Sequence, residues 1–174
     1  MLRYPPVLKT LLLMLLTAGS MHAAMADDDE GGEGWFGSRG GSRGGIASAA
    51  PPQYKKECAS CHMAYPAGLL PSGSWQHLMG NLGQHYGNDA SLDAASARAI
   101  NQYLTSNAGT YKRVSEMPPE DRITESNWFR RKHGKHVNSS TWSRKSIGSP
   151  SNCSACHQGA EQGDFNEHSV RIPN

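Results

Sequence analysis

Apolar residues along this chain recur at helical spacing. Leu92, Ala95, Ala99, Ile100, Tyr103 and Leu104 form one stripe at i, i+3, i+7, i+8, i+11 and i+12, with Ser91 ahead of it as cap. A second stripe holds Trp75, Leu78, Met79, Leu82, His85 and Tyr86. It opens at a Ser72 or Ser74 cap and closes at Gly87. A short helix is predicted from Tyr54 to His62. Another is predicted from a Thr124 cap through Trp128, Phe129 and His133 to Gly134. No stretch alternates apolar and polar long enough to argue for a strand. The expected fold is mostly α, with long loops.

The start of the chain follows a different pattern. Arg3 and Lys9 precede a short apolar run, Leu11 to Leu16, and Ala24-Met25-Ala26 offers a small-x-small cleavage site. This reads as a signal peptide over residues 1–26, cut before Asp27, with export to the periplasm. A membrane anchor is the rival reading, but crossing a bilayer takes about 20 apolar residues and this run is shorter. Residues 27–53 carry an acidic cluster, then Gly, Ser and Arg, then Ala49-Ala50-Pro51-Pro52. They bury too little apolar surface to fold and read as a flexible linker, with Trp35 and Phe36 as its exceptions. One domain is expected over residues 54–174. Cleavage removes two cations and no acid, which leaves 15 basic against 15 acidic residues. A near-neutral chain has no surplus of cations to displace counterions, which argues against a nucleic-acid partner.

The chemistry lies in the cysteines. There are four, and all fall in two copies of C-x-x-C-H: Cys58-Ala59-Ser60-Cys61-His62 and Cys153-Ser154-Ala155-Cys156-His157. This is the attachment signature of c-type haem. Two thiols add across the haem vinyl groups, and the adjacent histidine is held under the iron as proximal ligand. A four-thiolate zinc site needs no histidine after each pair, and its knuckles usually lie within about 15–20 residues. Redox dithiols belong beside a strand–helix unit, which is absent. Disulfides closing such small loops would be strained. Two covalent haem c groups follow, one with residues of about 54–115 and one with residues of about 116–174. Each macrocycle supplies apolar core that the side chains lack.

The distal iron ligands are less constrained. Without His22, the free histidines are His77, His85, His133, His136 and His168. His85 shares the apolar stripe of Trp75, whereas His77 lines up with Asn81 and Gln84. His85 therefore suits the first iron. His133 falls one turn after Phe129 and suits the second. His136 lies on the same side, beyond Gly134. Met117, ahead of Pro118-Pro119, is the main rival, and Met79 is a further one. The choice matters because methionine ligation raises the potential and a second histidine leaves it lower. The Pro66 to Pro71 loop is expected to offer a carbonyl to the other ring nitrogen of His62. The run Arg130, Arg131, Lys132, Lys135 fits a docking surface for an acidic redox partner, a propionate site, or simply a solvated face.

Three blocks resemble the bacterial dihaem cytochrome c family that partners a small oxygen-binding haem protein. They are Lys55 to Leu92 (KKECASCHMAYPAGLLPSGSWQHLMGNLGQHYGNDASL), Arg122 to His133 (RITESNWFRRKH) and Ser149 to Pro173 (SPSNCSACHQGAEQGDFNEHSVRIP). The resemblance implies a mostly helical protein with two low-potential haems, each held by two histidines. The family's distal histidines map onto His85 and His133, assigned here to the first and second haem; a crossed arrangement stays open. The implied role is to carry electrons from a membrane cytochrome b or quinol system to a soluble haem protein, with no catalytic residues. The linker and His136 have no match in the family. Two other functions compete: a small peroxidase-like enzyme with one open iron, and a module whose haems serve folding alone. For the first, His136 or Glu161 could be drafted as acid–base groups, but nothing in the sequence marks them out.

Overall fold

A computed structural model describes residues 50–174. The expected signal peptide and all but the end of the expected linker lie outside the described residues. Four α-helices are present: α1 (Pro52–Cys58), α2 (Ser72–Gly80), α3 (Ala94–Ser106) and α4 (Asn127–Gly134). Short 3-10 turns and loops join them, and the described residues contain no strand. No helix among them is long and apolar enough to cross a membrane.

Two small cores organise these elements. The first gathers Tyr54 of α1, Ala67, Leu70, Trp75 of α2, and Ile100 and Leu104 of α3. Burying Ile100 and Leu104 stabilises the fold by about 1.5–3 kcal/mol each. Trp75 Nε1 donates to the Ala67 carbonyl at 2.7 Å, so the indole is buried without an orphaned donor. The second core gathers Leu69, Val114, Trp128 and Phe129, with Trp142 and Phe165 packed against it. Consecutive residues Leu69 and Leu70 thus enter different cores. Tyr65 and Ile123 are partly buried against both.

The helix ends depart from the sequence reading for identifiable reasons. α1 begins at Pro52, inside the expected linker, and Gln53 Nε2 donates to Ser96 Oγ of α3 at 2.9 Å. It stops at Cys58, which leaves His62 on a turn beyond it. Neither Ser72 nor Ser74 caps α2. The helix starts directly after Pro71, and the Ser74 hydroxyl is buried. α2 also ends early, at Gly80, and a separate 3-10 turn, Leu82–Gln84, carries the chain to His85. Gly80 and Gly83 account for the break, since glycine is costly in a helix interior. α3 is capped by Asp93, not Ser91: its carboxylate accepts from the Ala95 and Ser96 amides at 2.9 and 3.0 Å. The inward face of α3 carries Ser96, Ile100 and Leu104, while Ala95 and Ala99 are exposed. α4 is capped by Ser126, whose Oγ accepts from the Phe129 amide at 3.2 Å. Thr124 lies inside the preceding 3-10 turn.

Gly109 fastens the loop after α3 to the junction of the cores. Its amide donates to the Leu70 carbonyl at 2.9 Å. A Cβ there would stand 2.5 Å from both the Gly68 carbonyl oxygen and Val114 Cγ1. Overpacking of this kind costs about 1–3 kcal/mol. Gly109→Ala is expected to lower stability by that amount, measured by denaturant unfolding, with the visible spectrum of the folded protein unchanged.

Candidate haem sites

Each C-x-x-C-H motif places its histidine on a short turn. In the first, Cys58 ends α1 and the chain turns through Cys61 to His62. Nδ1–H of His62 donates to the Met63 carbonyl at 2.7 Å. The acceptor is therefore the next residue, not the expected Pro66 to Pro71 loop. Its effect is the one sought: it fixes the tautomer and leaves Nε2 with a free lone pair. In the second motif, a 3-10 turn, Cys153–Ala155, presents His157.

A second imidazole stands across from each. The ring centres of His62 and His85 are 6.1 Å apart, and those of His133 and His157 are also 6.1 Å apart. Metal–imidazole bonds are about 2 Å and the ring centre lies about 1 Å beyond the nitrogen, so two imidazoles on opposite sides of one metal ion have centres about 6 Å apart. Both pairs have that spacing. Among the described residues no group of three or more His, Cys, Asp or Glu converges on a metal-sized point. Each pair thus offers two nitrogens and needs the remaining ligands from elsewhere, as the four nitrogens of a porphyrin would provide.

The surroundings fit that group. Nδ1–H of His133 donates to the Phe129 carbonyl at 3.1 Å, and the ring stacks on Phe129 at 4.0 Å. His85 Nδ1 and His157 Nδ1 are buried without a protein partner, so no carbonyl fixes their tautomers as Met63 and Phe129 fix those of His62 and His133. Burial also lowers the pKa of His85, His133 and His157. They stay neutral, as iron ligands must. Around the second pair lies a cavity of about 340 Å³, lined by Cys153, Cys156, Trp128, Phe129, Trp142 and Phe165 among others. Its apolar walls and two cysteines suit a covalently held macrocycle.

The thiols argue against a redox-active dithiol. All four cysteines are free of disulfides. Burial pushes Cys58 and Cys153 up to about 11, whereas redox-active C-x-x-C pairs depend on a depressed thiol pKa.

The other residues weighed as ligands stand elsewhere. Met117 lies against Gly73 at the start of α2 and is 43% exposed; the ring across from His62 belongs to His85. His136 lines the second cavity, yet it is exposed and His133 holds the position across from His157. His77 points to Asp121 at 3.4 Å. Met79 packs on the first core. His168 is exposed on a 3-10 turn. In the basic run, Arg130 pairs with Glu125, and Lys132 with Glu167 at 3.7 Å. Two of its four cations are thus neutralised within the chain, by surface pairs that each contribute little to stability.

Sequence reasoning assigned no role beside His85 to Tyr86 or Arg122. Tyr86 stands 4.9 Å from His85, ring centre to ring centre, and the Arg122 guanidinium lies 4.1 Å over the Tyr86 ring. Tyr86 Oη donates to the Glu120 carbonyl at 2.9 Å. Tyr86, Glu120 and Asp121 all have positive φ, at 51°, 53° and 55°. Non-glycine residues rarely adopt this conformation, at a cost of about 1–3 kcal/mol each. The concentration of strain beside His85 marks a segment held in place by its contacts.

Comparison with known proteins bears on the same residues. A sequence model described as dihaem cytochrome c matches residues 54–165. No curated protein matches the chain. Among solved structures, a diheme cytochrome c from Rhodobacter sphaeroides is 44% identical, with a TM-score of 0.60, over 67% of this chain and 97% of its own. A second Rhodobacter sphaeroides structure is 46% identical, with a TM-score of 0.59 and the same coverage. A diheme cytochrome type c from Shewanella baltica is 39% identical, with a TM-score of 0.63, over 72% of this chain and 96% of its own. The chain belongs to the dihaem cytochrome c family, with two covalently bound haem c groups as its cofactors.

Proposed function

We propose that this protein is a periplasmic electron carrier in which both irons are held by two histidines. Cys58 and Cys61 attach the first haem and Cys153 and Cys156 the second. His62 and His157 are the proximal ligands, with His85 and His133 opposite them. The observation that supports this most is the 6.1 Å spacing within both histidine pairs. The haem iron supplies one-electron redox chemistry, and a second histidine in place of methionine keeps its potential low. The protein's contribution is to fix the ligands. The Met63 and Phe129 carbonyls hold the tautomers of His62 and His133, Phe129 fixes the plane of His133, and burial keeps His85, His133 and His157 neutral. With His85 and His133 as the second ligands, neither iron would be open to a substrate. That disfavours the peroxidase-like alternative, which needs one pair broken and a placed acid–base group.

The donor is proposed to be a membrane cytochrome b or quinol system and the acceptor a soluble oxygen-binding haem protein. Support for these partners comes from the family resemblance of the sequence. Rapid mixing of the reduced protein with an oxidised haem protein of that class is expected to oxidise both haems in single-electron steps. Absence of exchange with such partners, or turnover of peroxide by the fully loaded protein, would overturn the carrier reading.

A further inference from the structure

Between the two haem sites runs a short chain of contacts that the ligand assignment does not use. The His62 ring stacks on Tyr65, with centres 4.8 Å apart and planes 22° apart. Tyr65 Oη donates to the Ser151 carbonyl at 2.8 Å. That same carbonyl accepts the amide of Cys153 at 3.0 Å. One aromatic side chain therefore touches the proximal histidine of the first motif and, through one carbonyl, the first cysteine of the second. The backbone of Tyr65 is fixed too, since Tyr54 Oη donates to its carbonyl at 2.7 Å. A parallel contact runs alongside. The Met63 carbonyl takes the His62 Nδ1 proton, and Met63 Sδ accepts from Ser154 Oγ at 3.6 Å, between the two cysteines of the second motif.

We infer that Tyr65 is a positioning residue that sets the plane of the His62 imidazole and locks the first haem site in register with the second. The inference rests on His62 being the first proximal ligand. Its two functions belong to two parts of one side chain. The ring sets the imidazole plane by stacking. The hydroxyl ties the loop to the Ser151 carbonyl, and through it to the second attachment point. The hydrogen bonds to Ser151 and from Tyr54 are directional and close to ideal length, so the segment has little freedom to slide. A residue that only filled space between the cores would need neither the hydroxyl nor the stacked geometry.

The two parts separate by substitution in the fully loaded protein. Tyr65→Leu removes both and is expected to shift the g-values of the first haem's low-spin resonance while the second keeps its own. Tyr65→Phe retains the ring, so both resonances should stay in place. The magnetic interaction between the two irons should then show a broadened distance distribution as the register loosens. If Tyr65→Leu does not load haem, the Tyr65→Phe measurement carries the test alone. A lower melting temperature with unchanged g-values in Tyr65→Leu, or an unchanged iron–iron interaction in Tyr65→Phe, would reduce Tyr65 to packing and overturn the inference. A wild-type protein without a low-spin first haem would instead refute the ligand assignment on which it rests.

Discussion

Replacing His133 with alanine is expected to turn the second haem high-spin and open to carbon monoxide, with the first haem unchanged. His133 occupies the position across from His157, and stacking on Phe129 with its Nδ1 bond to the Phe129 carbonyl holds it there. The deletion leaves no equivalent nitrogen. His136 lines the same cavity but is exposed, and its amide is engaged by the His133 carbonyl at 3.1 Å in the turn that ends α4. Alanine at 133 keeps that backbone turn, so His136 should not swing in. His85→Ala should do the same to the first haem alone. Each variant is expected to lose one of two low-spin signals and to bind carbon monoxide at one iron per chain. Visible and paramagnetic resonance spectra check both. Retention of two low-spin haems in either variant would show that another residue is the ligand, and His133→Ala/His136→Ala would identify His136 as the substitute.

The second large effect concerns stability. A protein with Cys153→Ala, Cys156→Ala and His157→Ala together loses the means of holding the second haem. Its loss removes the macrocycle that would pack against Trp128, Phe129, Trp142 and Phe165 in the solvent-open cavity, and with it apolar contact that the four buried side chains of the second core do not replace. Whole domains are stable by only about 5–15 kcal/mol. The region around α4 should therefore lose its fixed structure, while α2 and α3, packed on the first core, keep theirs. Amide hydrogen exchange is expected to show protection lost in Asn127–Gly134 and retained in Ala94–Ser106. Full protection of α4 in the triple variant would mean that Trp128, Phe129 and Trp142 build a sufficient core alone.

Most of the site was legible because its chemistry is local. Cysteine pairs followed by histidine specify attachment within five residues, and no folding event has to bring those atoms together. The placement of His85 across from His62 was also legible, although by an argument that held only in part. Helical periodicity placed it on the stripe of Trp75, whereas glycines break that helix at Gly80 and a 3-10 turn brings the ring to His62. The apolar pattern still fixed which side of the chain faces inward. Helix starts were less legible. Ser91, Thr124, Ser72 and Ser74 are all good caps by residue type, but Asp93 and Ser126 have the amides within reach, and a proline opens α2. Tyr65 and the Tyr86–Arg122 pair were out of reach, since their roles depend on contacts with Ser151, 86 residues away, and with Glu120, 34 residues from Tyr86.

Two imidazoles on each iron are what the functional account requires, and a redox titration followed by low-temperature paramagnetic resonance and near-infrared spectra reads the ligands directly. Two low-spin haems with bis-histidine signatures, each titrating as a one-electron centre at low potential, are expected. A high-spin iron in the untreated protein, or a methionine–iron charge-transfer band at either haem, would contradict it.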